Sequence, residues 1–140
     1  MLRRFEEISN NAWPALQTIQ YDGWILRFAN GVTRRSNSVN LLYASSLDTE
    51  EKISYCERLY LSHDIPPCFK ITQASDPADI DLVLTRHDYI VTAVISFQVL
   101  DISNWCHEPL SDIRIETELN PRWIDAFIGM NGYDPARKPT

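Results

Sequence analysis

The sequence predicts a mixed α/β (α+β) domain, with one largely antiparallel sheet and helices packed on it. Three observations carry this. Within Asp22–Asn40, DGWILRFANGVTRRSNSVN, two strand-like runs flank Asn30-Gly31. Asn-Gly between alternating segments is a strong hairpin signal, because both central positions of the tightest turn need positive φ. Residues Val91–Leu100 alternate, with Val91, Ala93, Ile95, Phe97 and Val99 on one face, as a half-buried strand does. Between these lie two segments with apolar residues at helical spacing and their own capping signals. The resulting order is helix, two or three strands, helix, strand, helix, strand.

The elements follow in chain order. Phe5, Ile8, Ala12 and Leu16 recur at helical spacing, and Trp13-Pro14 should end or kink that helix, since the residue before proline avoids the α region. Gln17–Tyr21 reads as a short extended run, and Asp22-Gly23 turns it into the hairpin. The first hairpin strand sets Trp24, Leu26 and Phe28 against Ile25, Arg27 and Ala29. The second, Thr33 to Val39, is rich in hydrogen-bonding side chains and poor in apolar ones. Asp48 followed by Glu51 resembles a capping box. The helix it opens carries Ile53, Cys56, Leu59 and Tyr60, and ends before Pro66-Pro67. Cys68–Thr72 reads as a strand. Ser75 or Asp76 then caps a helix with Pro77 at its first position and Ile80, Val83 and Leu84 as its stripe. Asp101–Leu110 reads as a linker and Ile113–Leu119 as a strand. Asn120 caps a last helix, with Pro121 in its first turn, Trp123, Phe127 and Met130 on its apolar side, and Gly132 closing it.

At 140 residues the chain suits one compact domain and is too short for two full-sized ones. Its 44% hydrophobic and 23% charged residues are ordinary for a globular protein. A net charge of −6 and a pI near 4.9 argue against broad nucleic-acid binding, although Arg34-Arg35 could hold one anionic group. Cys56, Cys68 and Cys106 are odd in number and lack zinc spacing, so no metal is expected. They fit a reducing compartment. The opening MLRRFEEISNN has no apolar signal core, and no run is long enough to span a membrane. The expectation is a cytoplasmic protein.

The order of elements, together with DGWILRFANGVTRRSNSV, EEKISYCERLY and FKIT, resembles the GNAT superfamily of N-acetyltransferases. More narrowly, it is similar to the N-terminal half of bacterial proteins built from two GNAT-like domains in tandem. The resemblance covers residues 1–101. Residues 102–140 then read as a linker and a stub, a strand plus a helix, like the start of a second domain. The resemblance implies transfer of an acetyl group from acetyl-coenzyme A to an amine. It also implies a glycine-containing pyrophosphate loop that leads into a helix, where backbone N–H groups and the helix dipole meet the phosphates. The corresponding loop here, YASSLDT from Tyr43 to Thr49, has no glycine, and the helix opens with Asp48, Glu50 and Glu51. The family's proton-donating tyrosine falls on Leu84 when Tyr89 is aligned with the aromatic of a Tyr-x-x-x-Gly-Phe run. Asp88 then stands in the glycine slot. Leucine cannot donate a proton.

Arg34, Arg35, Asn37, Ser38 and Asn40 are the candidate site residues. They make either a polar groove for a substrate or a partner domain, or an exposed strand whose polar groups satisfy nearby backbone. His63, His87 and His107 share no spacing, and Cys56 lies on an apolar helix face. The functional expectation is a GNAT-like N-acetyltransferase family protein. This chain would be the non-catalytic half that shapes the acceptor site or the domain interface, inactive alone. The alternative is a non-catalytic ligand-binding or assembly module. The partners expected are a second GNAT domain or another copy of the chain in a homodimer, and a small-molecule amine.

Overall fold

The structure is a computed structural model that describes residues 1–104, 106, 116–118 and 120–132. The chain falls into two compact units, Met1–Ile95 and Ser96–Thr140.

The first unit opens with α1, Leu2–Ala12, which stops where Trp13-Pro14 requires. Three antiparallel strands follow: β1 (Gln17–Tyr21), β2 (Trp24–Phe28) and β3 (Val39–Leu41). Helix α2 (Thr49–Ser62) leads to β4 (Phe69–Lys70), which lies parallel to β3 and gives the sheet order β1-β2-β3-β4. Helix α3 spans Ile80–Arg86. Asp48 caps α2 as expected, its carboxylate accepting the Glu51 N–H at 3.1 Å.

The two-residue turn sits at Asp22-Gly23. It joins β1 to β2 with Tyr21 facing Trp24, and both turn residues have positive φ, 41° and 83°. Asn30 and Gly31 also take positive φ, 51° and 69°, but they do not close β2 onto β3. Those strands do pair antiparallel, Leu26 opposite Val39 and Trp24 opposite Leu41, yet residues 29–38 intervene. The expected polar strand from Thr33 is instead a loop with a 3-10 turn at Arg34–Ser36. The cause is Asn37. Its side-chain oxygen accepts the N–H groups of Ala29 (2.7 Å) and Gly31 (3.1 Å), and its amide donates to Thr33 O at 2.7 Å. A side chain that satisfies the backbone removes the need for a ladder there.

The register gives the sheet two unlike faces. Trp24, Leu26 and Phe28 share one face with Val39 and Leu41, and this face packs on Ile53, Cys56 and Tyr60 of α2 and on Ile80, Val83 and Leu84 of α3. Thr18, Gln20, Ile25, Arg27, Asn40 and Lys70 share the other. Glu6 of α1 is buried and pairs with Lys70, so α1 meets the polar face through its own polar residues. The expected apolar face of α1 is not the packed one: Ile8 and Leu16 are exposed.

Two further expectations change. Helix α3 begins at Ile80 rather than at Pro77. Asp79 takes the N-cap position without a side-chain cap bond, while the Asp76 backbone is tied to the sheet, its N–H donating to Leu41 O and its carbonyl accepting the Trp24 indole, each at 3.2 Å. Residues Val91–Leu100 form no strand, and Val91, Ile95 and Val99 are 73%, 79% and 62% exposed. Alternation reports that one face seeks burial, but a strand also needs a neighbour to pair with. The end strand β4 is only two residues long and offers a short template.

In the second unit, α4 spans Pro121–Asn131, with the Asn120 side chain accepting the Trp123 N–H at 2.9 Å and Gly132 in the left-handed conformation. Trp123 and Phe127 stack with ring centres 5.3 Å apart. Of the strand expected over Ile113–Leu119, residues 113–115 and 119 lie outside the described residues.

Gly23 and Gly31 make contrasting predictions. A Cβ on Gly23 would lie 2.5 Å from both the Tyr43 and Ala44 carbonyl oxygens at φ +83°. Gly23→Ala therefore combines left-handed strain with a backbone clash, and should lower stability by about 3 kcal/mol or more. At Gly31 a Cβ meets nothing closer than 4.0 Å. Gly31→Ala should cost only the conformational strain, about 1–2 kcal/mol. Urea denaturation of the two variants should show that difference in midpoint.

Candidate functional site

The structure divides the cluster of residues singled out in the sequence. Arg34 and Arg35 are exposed on the 3-10 turn, with the Arg35 guanidinium 5.2 Å above the Trp13 ring centre. Asn37, Ser38 and Asn40 are buried. Asn37 holds the loop together, as above. Asn40 donates to the Ser38 carbonyl at 3.1 Å, and its own side-chain oxygen has no partner.

A residue that the sequence reading did not single out, Arg27, is the charged centre of the polar face. It stands in the middle of WILRF, where an arginine between apolar neighbours was the available signal. It is 3% exposed. Its guanidinium donates to Asn10 Oδ1 (2.8 Å), the Arg35 carbonyl (2.8 Å), the Asn10 carbonyl (3.1 Å) and the Trp13 carbonyl. The strand thereby fastens the end of α1 and the 3-10 turn at once. Burial lowers the pKa of this guanidinium from its ordinary value. Beside it a pocket of about 540 Å³ lies between α1, β1 and β2, lined by Glu7, Asn10, Thr18, Ile25, Arg27 and Tyr43 among others. The Tyr43 hydroxyl donates to Glu7 Oε1 at 2.7 Å, and that bond raises the Tyr43 pKa. The Asn10 side-chain N–H₂ is buried without a partner.

The second place of interest is the loop Tyr43–Thr49 ahead of α2. The N–H groups of Tyr43, Ser46 and Leu47 are already occupied, the first by the Gly23 carbonyl at 3.1 Å. The Asp22 carboxylate accepts from Leu47 N (2.8 Å), Ser46 N (2.9 Å) and Ser46 Oγ (2.9 Å), and lies 3.2 Å from Lys52 Nζ. The Leu47 N–H and the other donors hold the Asp22 carboxyl well below the usual carboxylate range. Lys52 is fully buried, 4.1 Å from the Trp24 ring centre, and also donates to the Asp22 carbonyl. Burial lowers its pKa, and Asp22 opposes that shift. The ammonium is thus held by a carboxylate, a carbonyl and a ring face, which is how a charge is tolerated inside a protein.

The other side chains weighed in the sequence are engaged within the domain. Leu84 is in the core. The Cys56 thiol is buried and pushed up to about 12 by desolvation, so it is not a nucleophile at neutral pH. Tyr89 packs edge-on against Phe69 and donates to Glu57 Oε1 at 3.1 Å, and burial is the main cause of its raised pKa. His63 stacks on Phe28, and His87 pairs with Glu50. Among the described residues no group of His, Cys, Asp and Glu could hold a metal ion, and no helix is long and apolar enough to cross a membrane.

A mixed sheet with three antiparallel strands, a loop into a helix after the third, a parallel fourth strand and a further helix defines a GNAT-like α+β domain. Residues 1–130 match the family described as "Probable histone acetyltransferase Rv0428c C-terminal", and the chain belongs to that family, one of GNAT-type acetyltransferases. It is 29% identical over 141 residues to the "Uncharacterized N-acetyltransferase YobR" of Bacillus subtilis, an overlap of 97% of this chain and 56% of that protein. It is 28% identical over 96 residues to the "Probable histone acetyltransferase Rv0428c" of Mycobacterium tuberculosis, an overlap of 68% of this chain and 31% of that protein. The chain thus spans about half the length of the first relative and a third of the second. No solved structure matches it.

The depressed Asp22 pKa gives a prediction with a definite sign. Its folded value lies below the ordinary 3.8, so its contribution to stability is present above that pH and is lost as the pH falls through the folded value. Asp22→Asn should therefore be less stable than the parent at neutral pH. The gap between the two should close progressively below about pH 4. Denaturant midpoints of both proteins across the acid range measure it, and a gap independent of pH would contradict the role given to this carboxylate.

Proposed function

We propose that this domain is a non-catalytic member of a GNAT-type acetyltransferase, which shapes the acceptor site or the domain interface while a companion domain carries acetyl-coenzyme A. When bound, acetyl-coenzyme A would supply the acetyl group, the accepting amine would give up an N–H proton, and the released thiolate would take one up. The chemistry needs donors for the pyrophosphate and an acid for the thiolate. The observation that carries the reading is the Asp22 carboxylate on the Ser46 and Leu47 N–H groups. An internal carboxylate satisfies donors that a phosphate would need, and it would repel one. The acidic first turn of α2, with Glu50 and Glu51, adds to that repulsion. Leu84 in the core supplies no acid. Calorimetric titration with acetyl-coenzyme A should give no saturable heat at micromolar protein. Tight, salt-sensitive binding would overturn the proposal.

Assembly is the second part of this reading. The alternating stretch Val91–Leu100 and the exposed Trp123 and Met130 of α4 are apolar surface that a soluble chain normally covers. We read them as contacts for a second GNAT domain, or for another copy of the chain in a symmetric dimer. Sedimentation velocity at rising concentration should give a dimer, and Ile95→Lys with Val99→Lys should shift it toward monomer. A parent chain that stays monomeric at high concentration would remove the homodimer. The names of the relatives favour an amine acceptor, and Glu7 in the pocket of about 540 Å³ suits a small-molecule amine.

A further inference from the structure

We propose that the pocket between α1 and the polar face of the sheet binds a small zwitterionic amino-carboxylate, a free amino acid in the simplest case. The inference does not depend on the acetyltransferase reading, because it requires neither acetyl-coenzyme A nor a companion domain.

Arg27 is the first ground. A buried guanidinium normally meets a carboxylate, since a charge taken out of water without a counter-charge is unfavourable. All four partners of Arg27 are neutral oxygens, and among the described residues it forms no ion pair. The positive charge is therefore held by dipoles and left without a counter-ion beside an open pocket. The second ground is Asn10. Its side-chain oxygen is engaged by Arg27, while its buried N–H₂ has no partner. The oxygen and the orphan nitrogen belong to one amide, so the missing acceptor is expected close to the guanidinium. The four terminal N–H groups of Arg27 are taken, so a ligand carboxylate supplies an acceptor for Asn10 and a negative charge near the guanidinium rather than a bidentate pair with it. A water molecule could supply only the first.

The third ground concerns the other end of the ligand. Glu7 lies one turn before Asn10 on α1, on the same side of the helix, and also lines the pocket. Its Oε1 accepts the Tyr43 hydroxyl, and a carboxylate keeps further acceptor capacity after one such bond. A dianion would be repelled by Glu7, whereas an ammonium would be drawn to it. Ile25 and Leu42 give the pocket an apolar floor, while Thr18 and Gln20 add polar groups. The volume of about 540 Å³ falls in the range of small-molecule sites. A carboxylate at Arg27, an ammonium at Glu7 and a short side chain between them describe an amino acid of modest size.

The test is a titration of the intact chain with each proteinogenic amino acid, followed by amide chemical shifts. At least one amino acid with a short aliphatic or amide side chain should shift residues 7–11, 18–20 and 25–27 saturably. Its carboxamide and its N-acetyl derivative should each bind at least about tenfold more weakly, since each has lost one charged contact. Asn10→Asp is the sharper variant. It keeps the oxygen that Arg27 uses, removes the orphan donor, and supplies the missing negative charge from the protein itself. It should raise the thermal midpoint and abolish binding. Ala15→Trp, which fills the pocket from the residue after Pro14, should abolish binding with the chemical shifts of the α2 core unchanged. The proposal is overturned if no amino acid gives saturable shifts at these positions, if the derivatives bind as well as the parent ligand, or if Asn10→Asp binds undiminished.

Discussion

The contact between Asp22 and the loop ahead of α2 ties together elements that are far apart in the chain. The turn it belongs to closes β1 on β2, its carboxylate takes two N–H groups and a hydroxyl from Ser46 and Leu47, and Lys52 of α2 reaches both its carbonyl and its carboxylate. Gly23 completes the arrangement, because its missing Cβ lets the Tyr43 and Ala44 carbonyls approach. One carboxylate thereby sets the hairpin, the loop and the helix in a single register. Lys52 is buried because Asp22 and the Trp24 ring receive its charge, so the ammonium becomes part of the core.

The same contact bears on function. A loop before a helix N-terminus is where backbone donors and a helix dipole favour an anion. In this chain the anion is built in. A charged group that folds onto its own loop stabilises the domain and competes with any phosphate for the same hydrogens. The acidic first turn and the inward carboxylate both place negative charge at this end of α2. Leu84 contributes to the core beside Ile80 and Val83.

The polar face of the sheet has a different character. Its buried cation, Arg27, is satisfied only by dipoles, and the Asn10 side chain bonded to it is half engaged. Buried polar groups are ordinarily paired, and the unpartnered Asn10 N–H₂ beside a guanidinium without a counter-ion is the ground for the ligand proposed there. The Glu6–Lys70 pair shows that the same face can be neutralised where both charges come from the protein. The chain uses one side of its sheet for a dry core and the other for charge.

Much of the fold was legible in the sequence because its signals are local. Trp13-Pro14 ends α1, Asp48 caps α2, and Asn120 with Gly132 bounds α4, each through groups within a few residues. The alternation of Trp24, Leu26 and Phe28 sufficed to name a core strand, and the positive φ at Asn30 and Gly31 was written in the residue types. The route of residues 29–38 was not legible, because Asn37 could bond either a neighbouring strand or its own loop, and only the placement of Ala29 and Gly31 selects the loop. Val91–Leu100 shows the complementary limit: alternation states which face seeks burial, whereas a strand also needs a partner, and the sequence does not name one. Arg27 could be read as a charge on the less apolar side of a strand. That it would be 3% exposed, without an acid, beside a pocket closed by α1 depends on residues from positions 7 to 43 meeting in space. Local chemistry determined the elements and their ends, while the distribution of charge between the two faces was settled only by the tertiary contacts.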